Sequence, residues 1–363
     1  MKKICFLLGG LQGTGGIGRI TSELANRLVE KNLEIVLISY FKDNSPFSYN
    51  LNKNVKQYVL FNTRFSMTEA IIKHHAIKKV KEIIKTENID FVIACGALYF
   101  PLAILASSFT KSRCICWEHT NPKTGQDYKF QRLSRFFSSF FAFKIVVLTK
   151  SAESFYRKYF PFSKKKVVQI YNFISKQSIV SKKYNDSSQK IISVGRLTYA
   201  KNFERLLYIA SKTLNSFDNW EWDIYGDGEM KSTLQKLILE YKLEDKVFLK
   251  GNCNNIYEIY QNYSFLVMTS RYEGFPMVLI EAAANKLPLI SFDIETGPNE
   301  IIENGKNGYL INHEMDDEMI DKIKSLIINK SIRIGFSNNV IALVDKFSEE
   351  RIIKQWLEIF GIN

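Results

Sequence analysis

Cysteine is scarce in this chain of 363 residues: five are present, at positions 5, 95, 114, 116 and 253. An odd number without regular spacing gives no disulfide framework and suits a reducing compartment. Cys114 and Cys116 alternate on a candidate strand and, with His119, invite a metal reading. No second C-x-x-C or H-x-x-x-H completes such a site, so both read as small buried hydrophobes and no metal is expected. An uninterrupted membrane-length apolar run is lacking too. The charge-free stretch Phe91 to Thr110 is broken by Gly96, Tyr99, Pro101 and the Ser107–Ser108 pair, which reads as strand, turn and a helix opening near Pro101. The opening Met-Lys-Lys-Ile-Cys-Phe-Leu-Leu has no small-x-small cleavage site and passes straight into glycines, as a first buried strand does.

Acidic side chains are the other scarcity, in the first half only. Residues 1–175 carry 11 Asp and Glu against 27 Lys and Arg, whereas the remainder carries 26 against 23, so +16 and −3 give the net +13. One lobe therefore meets something anionic, such as nucleic acid, an anionic lipid surface or a phosphorylated acceptor. A hydrophobic share of 46% and a charged share of 24% exclude a disordered or fibrous chain. The length suits two domains of about 150 to 200 residues.

Short apolar runs alternate with helical periods along the whole chain. Strands are expected at 3–9, 34–39, 90–95, 113–117, 144–148 and 167–170, then at 190–195, 221–225, 246–249, 264–268, 288–292 and 308–311. Helical patterns fall between them, among them 17–31, 67–87, 129–142, 202–214, 276–285 and 316–329. Strands apolar on both faces with helices between them predict α/β architecture, parallel sheets covered on two sides. The polar, aperiodic stretch 175–190 reads as a linker, which makes two doubly wound domains. Such sheets bind ligands beyond the carboxyl ends of their strands, so the site is expected in the cleft that two facing domains make.

Gly13-Thr14-Gly15-Gly16-Ile17-Gly18 matches G-x-G-x-x-G between a strand and a helix. A dinucleotide site also needs an acid about 20 positions on, and I-V-L-I-S-Y has none. A phosphate or sugar contact to backbone N–H groups and a tight structural turn both stay open. Arg196 and Lys201 follow a strand in V-G-R-L-T-Y-A-K-N; two fixed cations there suit a diphosphate, or are a solvated pair. Ile224-Tyr-Gly-Asp-Gly-Glu is a strand leading into a glycine turn, serving close approach to a ligand or a simple turn equally well. In Ser270-Arg-Tyr-Glu-Gly-Phe-Pro-Met-Val-Leu-Ile-Glu-Ala, Glu273 lies in a loop and Glu281 inside an apolar helix opened by Pro276. A carboxylate so placed needs hydrogen-bond partners, and polyols such as sugar and ribose rings offer paired hydroxyls.

The E-G-F-P-x-x-L-x-E-A run with its E-x7-E spacing, the V-G-R-L-x-x-x-K-N loop, I-Y-G-D-G-E, T-G-P-N-E-I-I at 296–302, W-E-H-T-N-P at 117–122 and the glycine-rich first loop together resemble family 4 glycosyltransferases, in order over nearly the whole chain. The resemblance implies the GT-B architecture. Residues 1–174 would form an acceptor-binding Rossmann-like domain and 175–346 a nucleotide-sugar-binding one, with 347–363 a last helix crossing back. It implies a retaining, metal-independent transfer of a hexose or N-acetylhexosamine from a nucleotide sugar, with UDP as the expected carrier and no further cofactor. Arg196 and Lys201 then fall to the donor diphosphate, Glu281 to the ribose and Glu273 to the donor sugar. Gly274, Phe275, Pro276 and Val278 line the sugar and phosphates, Gly15 and Gly16 approach the diphosphate, and His119 faces the anomeric centre or the sugar hydroxyls. One departure is Asn285-Lys286-Leu287-Pro288, where the family often has Gly before the Pro; it concerns a helix C-cap that Asn can partly supply.

Lys129 to Lys144 is a helix with Phe130, Leu133, Phe137, Phe140 and Phe141 on one side and Lys129, Arg132 and Arg135 on an adjoining flank. It suits an anionic bilayer or a lipid diphosphate, or else a core helix with a solvated basic edge. With the resemblance, it points to a lipid-linked saccharide acceptor at the cytoplasmic face of the membrane, in capsule or O-antigen assembly. Nucleic acid is not expected, since no helix-turn-helix, zinc or RNP pattern accompanies the charge. A sugar-nucleotide epimerase or phosphorylase of the same architecture is the competing class, followed by a nicotinamide oxidoreductase.

Overall fold

A computed structural model describes the chain apart from residues 12–14, 42–48, 63–73, 124–127, 180–182, 254 and 363. It divides into two compact units, Met1–Asn172 with Ile352–Asn363, and Phe173–Arg351. Each is built on one parallel sheet.

In the first unit β1 (Lys3–Leu8), β2 (Glu34–Phe41), β3 (Lys56–Phe61), β4 (Phe91–Cys95), β5 (Arg113–Glu118), β6 (Lys144–Val147) and β7 (Val167–Gln169) run in the order β3-β2-β1-β4-β5-β6-β7. β1, β4 and β5 are apolar on both faces because helices cover both, and nearly every residue in them is buried. β3 escapes the sequence pattern for the opposite reason. Lys-Gln-Tyr-Val-Leu-Phe is an edge strand whose Lys56, Gln57 and Val59 are exposed, so it carries too little apolar signal. Of the helix expected over 67–87, the described part is His74–Thr86; residues 67–73 and Gly13 lie outside the described residues.

In the second unit β8 (Lys190–Val194), β9 (Glu221–Tyr225), β10 (Val247–Gly251), β11 (Phe265–Met268), β12 (Leu289–Asp293) and β13 (Gly308–Asn312) run in the order β10-β9-β8-β11-β12-β13. The helices Lys330–Asn339 and Ile341–Lys346 were not foreseen. In both sheets the strand order reverses at one point, between β1 and β4 and between β8 and β11, the position at which open sheets of this kind bind ligands.

The last helix, Glu349–Phe360, buries Ile352, Ile353, Trp356 and Phe360. Trp356 meets Trp117 edge-on at 5.0 Å and Phe360 meets Phe91 at 5.2 Å, which accounts for its place in the first unit. The thiols of Cys5, Cys95 and Cys116 are fully buried, and burial pushes each of them up, so they behave as small apolar groups. No helix among the described residues is long and apolar enough to cross a membrane.

Candidate active site

At the carboxyl edge of the second sheet, Gly195-Arg196-Leu197 leaves β8 and is held by backbone alone. Gly195 N–H donates to Tyr225 O at 2.9 Å, and Leu197 N–H to Asp227 O at 3.0 Å. A Cβ on Gly226 would lie 1.9 Å from Gly195 O, and one on Gly228 2.4 Å from Leu197 O. The glycines of Tyr225-Gly-Asp-Gly-Glu thus let this turn press against the loop that carries Arg196. Gly195 has a matching role, since its absent Cβ would sit 3.3 Å from three carbons of the Lys201 stem. Arg196 is exposed and makes no ion pair among the described residues.

Lys201 Nζ donates to Glu273 Oε1 at 2.6 Å, and Ser270 Oγ donates to the same oxygen at 2.7 Å. The loop after β11 is laced to the loop after β8 by Arg271 N–H to Ala200 O at 2.8 Å and by Thr269 Oγ1 to Asn202 O at 3.2 Å. A third loop fastens it, because Thr296 Oγ1 donates to Glu273 O and a Cβ on Gly297, at φ 103°, would fall 2.3 Å from Pro276 Cδ. Loops from three adjacent strands therefore hold Glu273, two through its carboxylate and one through its backbone carbonyl.

Directly after it, the helix Met277–Ala284 opens with no side-chain cap and no acid in its first turn. Its N–H groups and dipole favour an anion there. Gly274 precedes it. The Phe275 ring turns inward against Phe347 at 5.6 Å, which leaves only its backbone for a ligand. Val278 is half-buried and Glu281 is buried. At the far end, the residue in left-handed backbone is Lys286, at φ 65°, and not Asn285. Asn285 instead sends its Nδ2 to Ser178 O at 2.8 Å and Glu281 O at 2.9 Å.

In the first unit, Gly15 caps the helix Gly16–Glu30 with no side-chain cap and no acid in the first turn, and Tyr49 Oη donates to Gly15 O at 2.9 Å. A Cβ on Gly16 would meet nothing within 4 Å among the described residues. His119 follows β5. Its ring lies 4.2 Å from that of Trp117, and its Nε2 is buried without a hydrogen-bond partner among the described residues. Burial pushes its pKa down to about 3 against a smaller pull from Glu118, so the imidazole is neutral at physiological pH.

The basic flank expected at Lys129, Arg132 and Arg135 needs correction. Arg135 is fully buried, with Nε 2.7 Å from Glu118 Oε2, and has no contact with solvent. The helix Tyr128–Phe141 faces the core with Gln131, Ser134, Arg135 and Ser138, while Leu133, Phe136, Phe140 and Phe141 are exposed, Leu133 by 66%. Only Phe130 and Phe137 pack against the core. Small serines permit this: Ser134 Oγ donates to Ala97 O, and Ser138 Oγ to Arg135 O at 2.8 Å. The periodicity marked the right residues as apolar but not which way they turn, because a buried guanidinium with its own partner outranks them. Lys129 and Arg132 stay outside and, with Lys123, Leu133, Phe136 and Tyr159, line a cavity of about 680 Å³.

Two parallel α/β sheets, one carrying cations and a fixed carboxylate at its carboxyl edge, define a glycosyltransferase of GT-B fold. Residues 14–177 match the family described as Glycosyltransferase Family 4, and 175–342 the one described as Glycosyl transferases group 1. The amylovoran biosynthesis glycosyltransferase AmsD of Erwinia amylovora is 30% identical over 99% of this chain and 100% of its own. A Campylobacter jejuni protein named N-acetylgalactosamine-N,N'-diacetylbacillosaminyl-diphospho-undecaprenol 4-alpha-N-acetylgalactosaminyltransferase is 30% identical over 55% of this chain and 54% of its own. The fold is shared with a mutant of Staphylococcus aureus TarM, crystallised with fondaparinux, alpha-GlcNAc-glycerol and UDP, at TM-score 0.85 and 18% identity over 99% of this chain and 100% of that one. The chain belongs to glycosyltransferase family 4, of the surface-polysaccharide type.

Proposed function

We propose that this enzyme moves a hexose or N-acetylhexosamine, with retention, from a UDP-sugar to a hydroxyl of a lipid-linked saccharide at the inner face of the cell membrane, in assembly of a capsule or O-antigen. The observation that carries the donor half is the Lys201–Glu273 pair beside the unpaired Arg196 and the uncapped Met277–Ala284 helix. Cations and N–H dipoles suit the diphosphate, and carboxylates suit the hydroxyls of sugar and ribose.

In the reaction the bond from C1 to the phosphate oxygen breaks and one from C1 to the acceptor oxygen forms on the same face. The departing phosphate takes the acceptor's proton. Arg196, Lys201 and the helix N-terminus stabilise the charge gathering on the diphosphate, which is electrostatic preorganisation and takes the place of a metal. Glu273 holds sugar hydroxyls, and Glu281 those of the ribose. His119, neutral, hydrogen-bonds the reacting sugar without itself carrying charge.

The acceptor half rests on the outward-facing Leu133, Phe136, Phe140 and Phe141 beside Lys129 and Arg132. An apolar surface of this kind next to cations suits an anionic bilayer. Support for a lipid-linked acceptor comes from the Campylobacter relative, whose name includes diphospho-undecaprenol. A panel of UDP-, GDP- and ADP-sugars tested for thermal stabilisation checks the donor: a UDP-sugar should stand out, and stabilisation by another nucleotide alone would overturn that assignment.

A further inference from the structure

Glu118, at the carboxyl end of β5, is buried and uses both oxygens. Oε1 accepts Thr120 Oγ1 at 2.7 Å and Thr120 N–H at 3.2 Å. Oε2 accepts Arg135 Nε at 2.7 Å and Tyr156 Oη at 3.0 Å. The guanidinium goes further, since Nη1 donates to Pro122 O at 3.2 Å and Nη2 to Thr120 Oγ1 at 3.1 Å and Gln131 Oε1 at 3.0 Å. Residues 118, 120 and 122 are thus all tied to one side chain, and His119 lies inside that span.

Burying an ion pair seldom adds stability over an apolar pair of similar volume. Arg135 also displaces apolar residues to the solvent face of its helix. A guanidinium retained under those conditions fixes geometry, because its planar fork reaches four separate acceptors, which neither an apolar group nor an ammonium can do. Among the described residues the imidazole has no hydrogen bond at Nε2, and its ring lies 4.2 Å from that of Trp117. The turn must therefore supply its placement.

We propose that Arg135 is a positioning residue for His119, holding the 118–122 turn so that the imidazole is set before substrate arrives. This rests on the reading of His119 as a residue that touches the donor sugar. Since His119 acts on the reacting sugar, misplacement lowers kcat and leaves donor binding by Arg196 and Lys201 intact.

The test is a double-mutant cycle in the full chain, reading UDP release from whichever of UDP-glucose, UDP-galactose and their N-acetylamino counterparts stabilises the protein most. Arg135→Lys should lower kcat about 10- to 100-fold, the scale of a misplacement near 1 Å, with donor KM within about twofold. Combined with His119→Ala it should add nothing to the loss from His119→Ala alone, because Arg135 acts through that ring. If the losses multiply, or if donor KM rises with kcat unchanged, Arg135 is only structural and the inference fails. If His119→Ala leaves kcat unchanged, the reading of His119 fails and takes this inference with it. Thr120→Val removes one hydroxyl of the same network and carries the same cycle should the Arg135 variant not fold.

Discussion

Lys201 and Glu273 close on one another at 2.6 Å across neighbouring strands, and the cation takes the same carboxylate oxygen, Oε1, that Ser270 takes. Both donors fall on one oxygen, and Oε2 accepts no hydrogen bond among the described residues. The pair is thus a clamp that orients the carboxylate, and Ser270 is its second jaw. Nothing in the sequence pattern separated Ser270 from the polar residues around it.

Glu273→Gln keeps the shape but loses the charge that draws hydroxyl protons, so kcat/KM should fall about 100-fold or more. Ser270→Ala should cost about tenfold, the value of one hydrogen bond to a charged group. UDP release under single-turnover conditions measures both. Equal losses from the two would show that Glu273 acts only as a structural partner of Ser270 and Lys201.

The apolar surface around Leu133 predicts partition onto vesicles containing phosphatidylserine. Leu133→Ser with Phe141→Ser should weaken this at least tenfold with little loss of stability, since these side chains are 66% and 62% exposed. Lys129→Glu with Arg132→Glu should weaken binding to the anionic vesicles only, and salt should reproduce that effect. Co-sedimentation that is indifferent to both changes would remove the bilayer from the account.

Much of the architecture was readable because parallel strands buried on two faces have few alternatives. Twelve of the strands described here were in place from their apolar runs, and β3 was hidden by its exposed lysine and glutamine. Glu281 was readable as chemistry, since a carboxylate inside an apolar helix is costly to place without a partner, and Arg196, Lys201 and Glu273 were marked by the motifs of the loops after β8 and β11. The Gly226-Asp227-Gly228 turn was half readable: the need for close approach was plain, but that the partner is Gly195 O depends on contacts remote in sequence. Helix 128–141 misled because periodicity reports apolarity and not orientation. A serine-lined face around Arg135 looks polar until Glu118, 17 residues earlier, is brought beneath it.

Lys286 occupies left-handed backbone, φ 65°, where a Cβ costs about 1–2 kcal/mol. Lys286→Gly relieves that strain and loses part of the gain to unfolded-state entropy. A net gain of about 0.5–1 kcal/mol in urea unfolding is expected. A loss of stability would show that the lysine side chain is held by something stronger than the strain.

His119 is pushed down to about 3 from an ordinary 6.5. Between those values the unfolded chain binds a proton that the folded one refuses, so this site's contribution is complete above pH 6.5 and is lost as pH falls toward 3. Glu118 acts in the same direction. Burial alone would raise it, but Arg135 with the Thr120 and Tyr156 hydrogen bonds holds it below the usual carboxylate range. Stability should therefore decline from about pH 6.5 downward, and His119→Gln should flatten the slope above pH 5. A profile of kcat showing His119 titrating near 6.5 would contradict the neutral role given to it.

The most direct measurement is the melting temperature of the wild type and Arg196→Ala with and without saturating UDP-sugar. At about 100 times Kd the donor should add about 2.7 kcal/mol, a rise of several degrees. Arg196→Ala should melt where the wild type does without ligand and show almost none of that rise. An equal rise in both proteins would take Arg196 out of the donor site and, with it, the assignment of this sheet edge to a nucleotide diphosphate.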